Sequence, residues 1–125
     1  MSNRCNDTIA IDFDAVISRY SGWKGKGIFG EPVSGAKAAL NWLMNAGYKV
    51  IINTTRSETW LVEEYMLSNG LPFDHINFNP DNVTLHLSPS KVIADIYVDD
   101  RALKFEGNWR KTLQDIVTFK VWWGR

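Results

Sequence analysis

Two carboxylates spaced two residues apart, near the start of the chain, are the first candidates for chemistry. The apolar run 9–11 ends in Asp12, and Asp14 follows it. A charged group beside an apolar core is costly unless it is paired or binds a cation. Two such oxygen donors indicate a hard divalent cation, most simply Mg²⁺. For this pattern alone, two solvated acids at the end of a strand are the structural alternative.

Two later apolar runs also end in residues that can bind a cation or a phosphate. The residues that follow are Thr54, Thr55 and Arg56 after the run 48–53, and Asp99 and Asp100 after the run 93–98. In an open α/β sheet, ligands bind at the carboxyl ends of the strands. We therefore expect these side chains to meet Asp12 and Asp14 at one edge of a sheet.

The order of these residues, with Lys91 before the last acid pair, resembles the four motifs of the haloacid dehalogenase (HAD) superfamily. The resemblance spans roughly residues 8–103, and the joint match is far more specific than any single motif. It implies a Mg²⁺-dependent phosphomonoester hydrolase that acts through an aspartyl-phosphate intermediate. The spacing between the motifs leaves no room for a large cap domain.

The resemblance also implies a role for each motif. Asp12 would be the nucleophile, and Asp14 would be the general acid toward the leaving group and then the base for water. Thr54 would hold the phosphoryl oxygens, with Thr55 as the alternative for that contact. Lys91 would neutralise charge on the nucleophile and phosphate, although it lies in a segment without a helical pattern, only eight positions before Asp99.

The cation ligands implied by the resemblance are Asp12, the backbone carbonyl of Asp14, and Asp99, with Asp100 as a second ligand, direct or through water. From its residue type, Arg56 is a candidate for a bidentate phosphate contact, or else for pairing with a surface acid. These assignments complete the candidate site at the edge of the sheet.

A glycine-rich segment, residues 18–31, follows the first motif and predicts a loop or flap rather than a helix. In the HAD superfamily such a segment leans over the active site. Arg19, Lys24 and Lys26 are candidates for phosphate contact, and Tyr20 and Trp23 for stacking on a base or sugar. The structural alternative is a solvated loop.

Alternating patterns along the chain predict a single domain over residues 1–125. We expect an α/β, doubly wound, Rossmann-like sheet, mainly parallel and flanked by helices. The expected elements are helices from about 34 to 46, 58 to 68 (capped by Ser57) and 109 to 117, strands 49–53, 74–78 and 94–98, a loop 79–90, and a strand or docked tail 119–123.

Composition restricts the class of protein. The chain has 125 residues and a formal net charge of zero, so no overall field attracts nucleic acid or membrane. The single cysteine, Cys5, excludes an internal disulfide, and we expect it to be unreactive. No apolar run is long enough to cross a membrane, and we expect a cytoplasmic protein.

Three further expectations concern partners and competing functions. The substrate would be a phosphorylated small molecule or a nucleic-acid end, and a homodimer that covers each open site is one hypothesis. A non-catalytic HAD-fold module that binds phosphate or a partner is the alternative function. A phosphate-sensing receiver domain is disfavoured, because its lysine would follow its acids rather than precede Asp99.

Overall fold

Strands and helices alternate along residues 7–124, the part of the chain that the computed structural model describes; Cys5 lies outside it. The strands are β1 (Thr8–Asp12), β2 (Lys49–Asn53), β3 (His75–Ile76) and β4 (Ile96–Val98). The helices are α1 (Ala36–Asn45), α2 (Thr59–Ser68), α3 (Pro80–Thr84) and α4 (Trp109–Thr118). The predicted α/β, Rossmann-like fold is confirmed.

The four described strands form one parallel sheet in the order β3-β2-β1-β4. The chain winds outward from β1 through β2 to β3 and then returns to the other side of β1 with β4. This reversal leaves a crevice at the carboxyl ends of β1 and β4, where doubly wound sheets bind their ligands.

The two central strands are apolar because both of their faces are covered. Val50, Ile51 and Ile52 of β2 are fully buried, and so is Phe13, directly after β1. The Phe13 ring meets the rings of Phe29 and Tyr65 edge to face, at centroid distances of 5.4 and 5.3 Å. The flap is thereby packed onto the end of β1.

Two strands begin later than predicted, β3 at His75 rather than 74 and β4 at Ile96 rather than 94, and an aspartate directly precedes each of them. Asp95 accepts a hydrogen bond from the Thr8 backbone N–H through its carboxylate, at 2.7 Å. Asp74 does the same for the Val50 N–H, also at 2.7 Å. Each aspartate thus joins the neighbouring strand through its side chain before the regular ladder begins.

Two local predictions about helices are wrong. Ser57 does not cap α2: Glu58 occupies the N-cap position, and the Ser57 hydroxyl bonds to the Glu58 carboxylate instead. The predicted loop 79–90 contains helix α3, because the Asn79 side chain accepts a hydrogen bond from the Asp81 N–H and Pro80 supplies a preset first turn.

Residues 119–124, which follow α4, form a docked tail rather than an edge strand. We call this segment the tail. Among the residues described, no helix combines the length and apolar character required to span a bilayer.

Candidate functional site

Three carboxylates meet at the carboxyl ends of β1 and β4, where the order of the strands in the sheet reverses. Ile11 of β1 pairs with Val98 of β4, so Asp12 and Asp99 are the next residues on adjacent strands. One oxygen from each of Asp12, Asp99 and Asp100 lies within 4.8 Å of the others. We call these three residues the acid cluster.

The protonation of the acid cluster reflects this crowding. Burial, a hydrogen bond with Asp100 and the charges of Asp99 and Asp100 raise the pKa of Asp12 from 3.8 to about 8. Burial alone would raise the pKa of Asp100, but hydrogen bonds from Asp12 and from Trp123 outweigh it and lower that pKa. Below the raised pKa of Asp12, a proton on Asp12 is therefore shared with Asp100 across the β1–β4 crevice.

The acid cluster fits a hard divalent cation. Mg²⁺ binds oxygen ligands at about 2.0–2.1 Å, so two opposite ligands lie about 4.2 Å apart. Oxygens grouped within 4.8 Å reach such a geometry with a small adjustment. A cation would also replace the shared proton and offset the repulsion that raises the pKa of Asp12.

The Asp14 carboxylate lies outside the acid cluster and pairs with Arg56. The guanidinium donates to both Asp14 oxygens, from Nε to Oδ2 and from Nη2 to Oδ1, each at 2.9 Å. The Arg56 side chain is only 5% exposed. Arg56, a candidate for phosphate contact, therefore pairs with an acid, and this acid is not on the surface but is the candidate general acid Asp14.

The flap holds this ion pair from above. The Arg56 guanidinium lies 4.8 Å from the centre of the Trp23 ring and 4.6 Å from that of Phe29. It also donates to the Ile28 carbonyl at 3.3 Å. Stacking on two rings and three hydrogen bonds fix the position of the guanidinium.

A cavity of about 600 Å³ lies between the flap and the acid cluster, and we call it the acidic cavity. Its lining comprises Asp12, Asp14, Tyr20, Trp23, Lys26, Thr55, Arg56, Ser57, Glu58, Asp99, Asp100 and Arg101. The predicted flap residues Tyr20, Trp23 and Lys26 therefore reach the site. Lys24 and Arg19 do not line it, because they face a neighbouring cavity beneath the tail.

Thr54 and Lys91 line a second cavity of about 600 Å³, the lysine cavity. Asp99 lines both cavities and stands between them. The Lys91 ammonium lies 5.1 Å from the centre of the Tyr97 ring. The predicted residues thus gather at one edge of the sheet, in two adjacent groups.

Hydrogen bonds from Asn77 and from the Arg56 backbone hold Thr54 in place. Its backbone N–H donates to the Asn77 side-chain oxygen at 2.8 Å, and its carbonyl accepts from the Asn77 amide at 2.9 Å. Its hydroxyl accepts from the Arg56 N–H at 3.0 Å. Thr54 is thereby tied through the backbone to the residue that binds Asp14.

Two tryptophans of the tail contact the site, which the sequence pattern did not predict. The Trp123 indole N–H donates to Asp100 Oδ2 at 2.8 Å, and its ring meets Tyr20 edge to face at 5.1 Å. The Trp122 indole N–H donates to the carbonyl of Ala15 at 2.8 Å. Ala15 has a positive φ of 72°, so the turn after Asp14 has a conformation that this contact helps to hold.

No signal in the sequence pattern identifies these tail contacts, since Trp122 and Ala15 are 107 positions apart. Arg101 was also missed. It lines the acidic cavity and lies 3.7 Å from the Asp100 carboxylate. Its position directly after the last acid pair was the available clue.

Comparisons with known proteins support the fold. No protein-family model matches the chain. No curated protein matches it either. The solved structure of a conserved protein coded by locus from Bacteroides thetaiotaomicron is similar, with 27% identity over 93% of each chain and a TM-score of 0.64. The α/β architecture therefore recurs across nearly the full length of both chains.

Proposed function

We propose that this protein is a Mg²⁺-dependent phosphomonoester hydrolase of the HAD type. The proposal rests mainly on the grouping of Asp12 with Asp99 and Asp100 in the β1–β4 crevice, within 4.8 Å. The motif resemblance supplies the reaction class. Mg²⁺ held by the acid cluster would offset the negative charge of the substrate phosphate.

In the first step, the Asp12 carboxylate attacks phosphorus and the bond to the leaving oxygen breaks. Asp14 gives its proton to that oxygen, which leaves as an alcohol. In the second step, Asp14 takes a proton from water, which attacks phosphorus and releases Asp12 and inorganic phosphate. Both acids line the same cavity, as this sequence of steps requires.

The Asp14–Arg56 pair gives the substrate a route to release the general acid. A phosphoryl group entering the acidic cavity would compete with Asp14 for the fixed, bidentate guanidinium. Asp14, freed from Arg56, would take up a proton from solvent and deliver it to the leaving oxygen. Thr54 or Thr55 and Lys91 would bind phosphoryl oxygens, with Lys91 approaching from the lysine cavity past Asp99.

The size and rim of the acidic cavity favour a substrate larger than a small sugar phosphate. The cavity is open, Trp23 is 60% exposed beside it, and Lys26 and Arg101 lie in its lining. A nucleotide or a phosphorylated nucleic-acid end matches an aromatic surface with cations beside it.

One observation favours a second candidate, a module that binds phosphate or a partner without turnover. Both oxygens of Asp14 are engaged by Arg56, and Lys91 lies in the adjacent cavity. If this arrangement persists with ligand bound, no acid is available for the leaving oxygen.

The test is phosphate release from aryl phosphates, nucleotides and 3′- and 5′-phosphorylated oligonucleotides, in Mg²⁺ and in EDTA. We expect release by the wild type only in Mg²⁺, and none by Asp12→Asn. Asp81→Asn, an exposed acid paired with Lys49, is the matched control and should behave as the wild type. Binding of phosphate without release by folded protein would favour the second candidate.

A further inference from the structure

Helix α4 directs its apolar side chains into solvent. Trp109, Leu113, Ile116 and Val117 recur at the spacing that places them on one stripe of the helix, about 100° wide. Their exposed fractions are 52–84%. No residue of α4 is buried, and its two half-buried residues, Thr112 and Asp115, are polar. The helix therefore turns its polar side inward.

The chain on both sides of α4 keeps the helix in this place. The segment leaves the site at Asp100 and returns to it at Trp123, whose indole donates to the Asp100 carboxylate. A helix of ten residues is marginal in water without tertiary packing. Within residues 7–124 no apolar cover lies over this stripe, so a surface from another molecule would supply the missing packing.

Strand β4 also exposes apolar side chains to solvent. Ile96, Tyr97 and Val98 alternate between the two faces of the sheet, yet all are 36–44% exposed. The strand is also the edge of the sheet, next to β1 alone. Parallel sheets normally have both faces covered by helices. In the part of the chain that the structure describes, strand β4 therefore lacks a covering helix layer of the kind expected over the central strands β1 and β2.

We propose that this face is the interface of a homodimer in which α4 of each chain packs on β4 of the other. An exposed apolar helix and an uncovered apolar strand on one chain form a self-complementary pair, which a two-fold axis satisfies twice. Packing a helix on a sheet is the same layer arrangement that covers the rest of this fold.

The available area matches this interface. A helix packed on one face of β4 covers Ile96 and Val98 but not Tyr97, which lies on the other face and lines the lysine cavity. The exposed parts of these two side chains and of the four apolar side chains of α4 amount to roughly 600 Å² per chain, at the lower end of the ~600–1,000 Å² per partner of a standard stable interface. The charged pair Lys111–Asp115, at 2.6 Å, lies on the opposite side of the helix from the apolar stripe. The interface is thus apolar at its centre with charges outside it.

Sedimentation equilibrium of the full chain tests the proposal. We expect twice the chain mass for the wild type and the single chain mass for Leu113→Glu, with unchanged circular dichroism. Gln114→Glu adds the same charge to the polar side of α4 and should remain dimeric. A monomeric wild type, or a Leu113→Glu protein that stays dimeric, would overturn the proposal.

Cross-linking then tests which elements meet. In a Cys5→Ser background, chains carrying Leu113→Cys and chains carrying Val98→Cys are mixed and treated with a short bis-maleimide. We expect covalent dimers between the two kinds of chain. A chain carrying both substitutions that cross-links only within itself would show that α4 folds onto its own β4, and would refute the dimer.

Discussion

Asp12→Asn should change the stability of the protein in opposite directions with and without a divalent cation. In the metal-free protein, the pKa of Asp12 is raised from 3.8 to about 8, so the folded state holds a proton that the unfolded state has lost. This contribution to stability is fully present below pH 3.8 and is lost as the pH rises through about 8. Asn removes the titration and stays neutral.

The expected magnitude follows from the shift. A rise in pKa from 3.8 to about 8 corresponds to an upper bound of about 6 kcal/mol. Solvent screens this half-buried carboxyl group, and an amide replaces its proton donor, so we expect ~1–3 kcal/mol. At pH 9 in EDTA, Asp12→Asn should be more stable than the wild type by that amount. At pH 4 the difference should disappear.

Mg²⁺ should reverse the order of stability, so that the wild type becomes more stable than Asp12→Asn. A ligand at a hundred times its dissociation constant stabilises the folded state by about 2.7 kcal/mol. The wild type should gain this, and Asp12→Asn, which lacks one of the three clustered carboxylates, should gain much less. Urea unfolding at pH 4 and pH 9, in EDTA and in Mg²⁺, measures all four differences.

Asp115→Asn is the control for this series, because Asp115 is a half-buried acid that pairs with Lys111 and is not a member of the acid cluster. Its effect should be small and the same at both pH values. Equal dependence on pH for Asp12→Asn and the wild type in EDTA, or equal stabilisation of both by Mg²⁺, would refute the account of the acid cluster.

Three further substitutions test the surroundings of the site. Arg56→Lys keeps the charge but cannot bind both oxygens of Asp14, so we expect the free energy of unfolding in urea to fall by about 1–3 kcal/mol. Unchanged stability would contradict a role for the two parallel hydrogen bonds from the guanidinium. Gly30→Ala places a methyl group against the Arg19 carbonyl, so the flap should lose about 1–3 kcal/mol of stability. We expect faster amide hydrogen exchange in the flap. Faster exchange elsewhere but not in the flap would argue against this. Trp123→Phe removes the indole donor to the acid cluster and should weaken Mg²⁺ binding roughly tenfold in calorimetric titration; equal affinity would show that this hydrogen bond does not orient the ligand.

The sequence predicted the part of the site that depends on strand ends. Apolar runs that stop at Asp12, Asn53 and Val98 place the next residues at one edge of a parallel sheet, and the register of β1 with β2 and β4 bears this out. Helix α3 was also predictable, because Asn79 and Pro80 are a local signal for a helix start that the turn-rich composition obscured.

The pairings that complete the site depend on tertiary structure. Arg56 and Asp14 are 42 positions apart, and either could have met a different partner with the same local sequence. The docking of Trp123 on Asp100 depends on the course of the whole segment after β4. Lys91 lies beside Tyr97 rather than in the acidic cavity because the loop before β4 turns it toward the other side of Asp99.

Detection of the covalent intermediate tests the central claim most directly. Wild-type protein and Asp14→Asn are mixed with an aryl phosphate in Mg²⁺, quenched in acid, and digested for tandem mass spectrometry. We predict a phosphate adduct on Asp12, and more of it in Asp14→Asn, because an aryl leaving group needs little protonation in the first step whereas the second step lacks its base. An adduct on another residue, or phosphate release that Asp12→Asn leaves unchanged, would contradict the proposed mechanism.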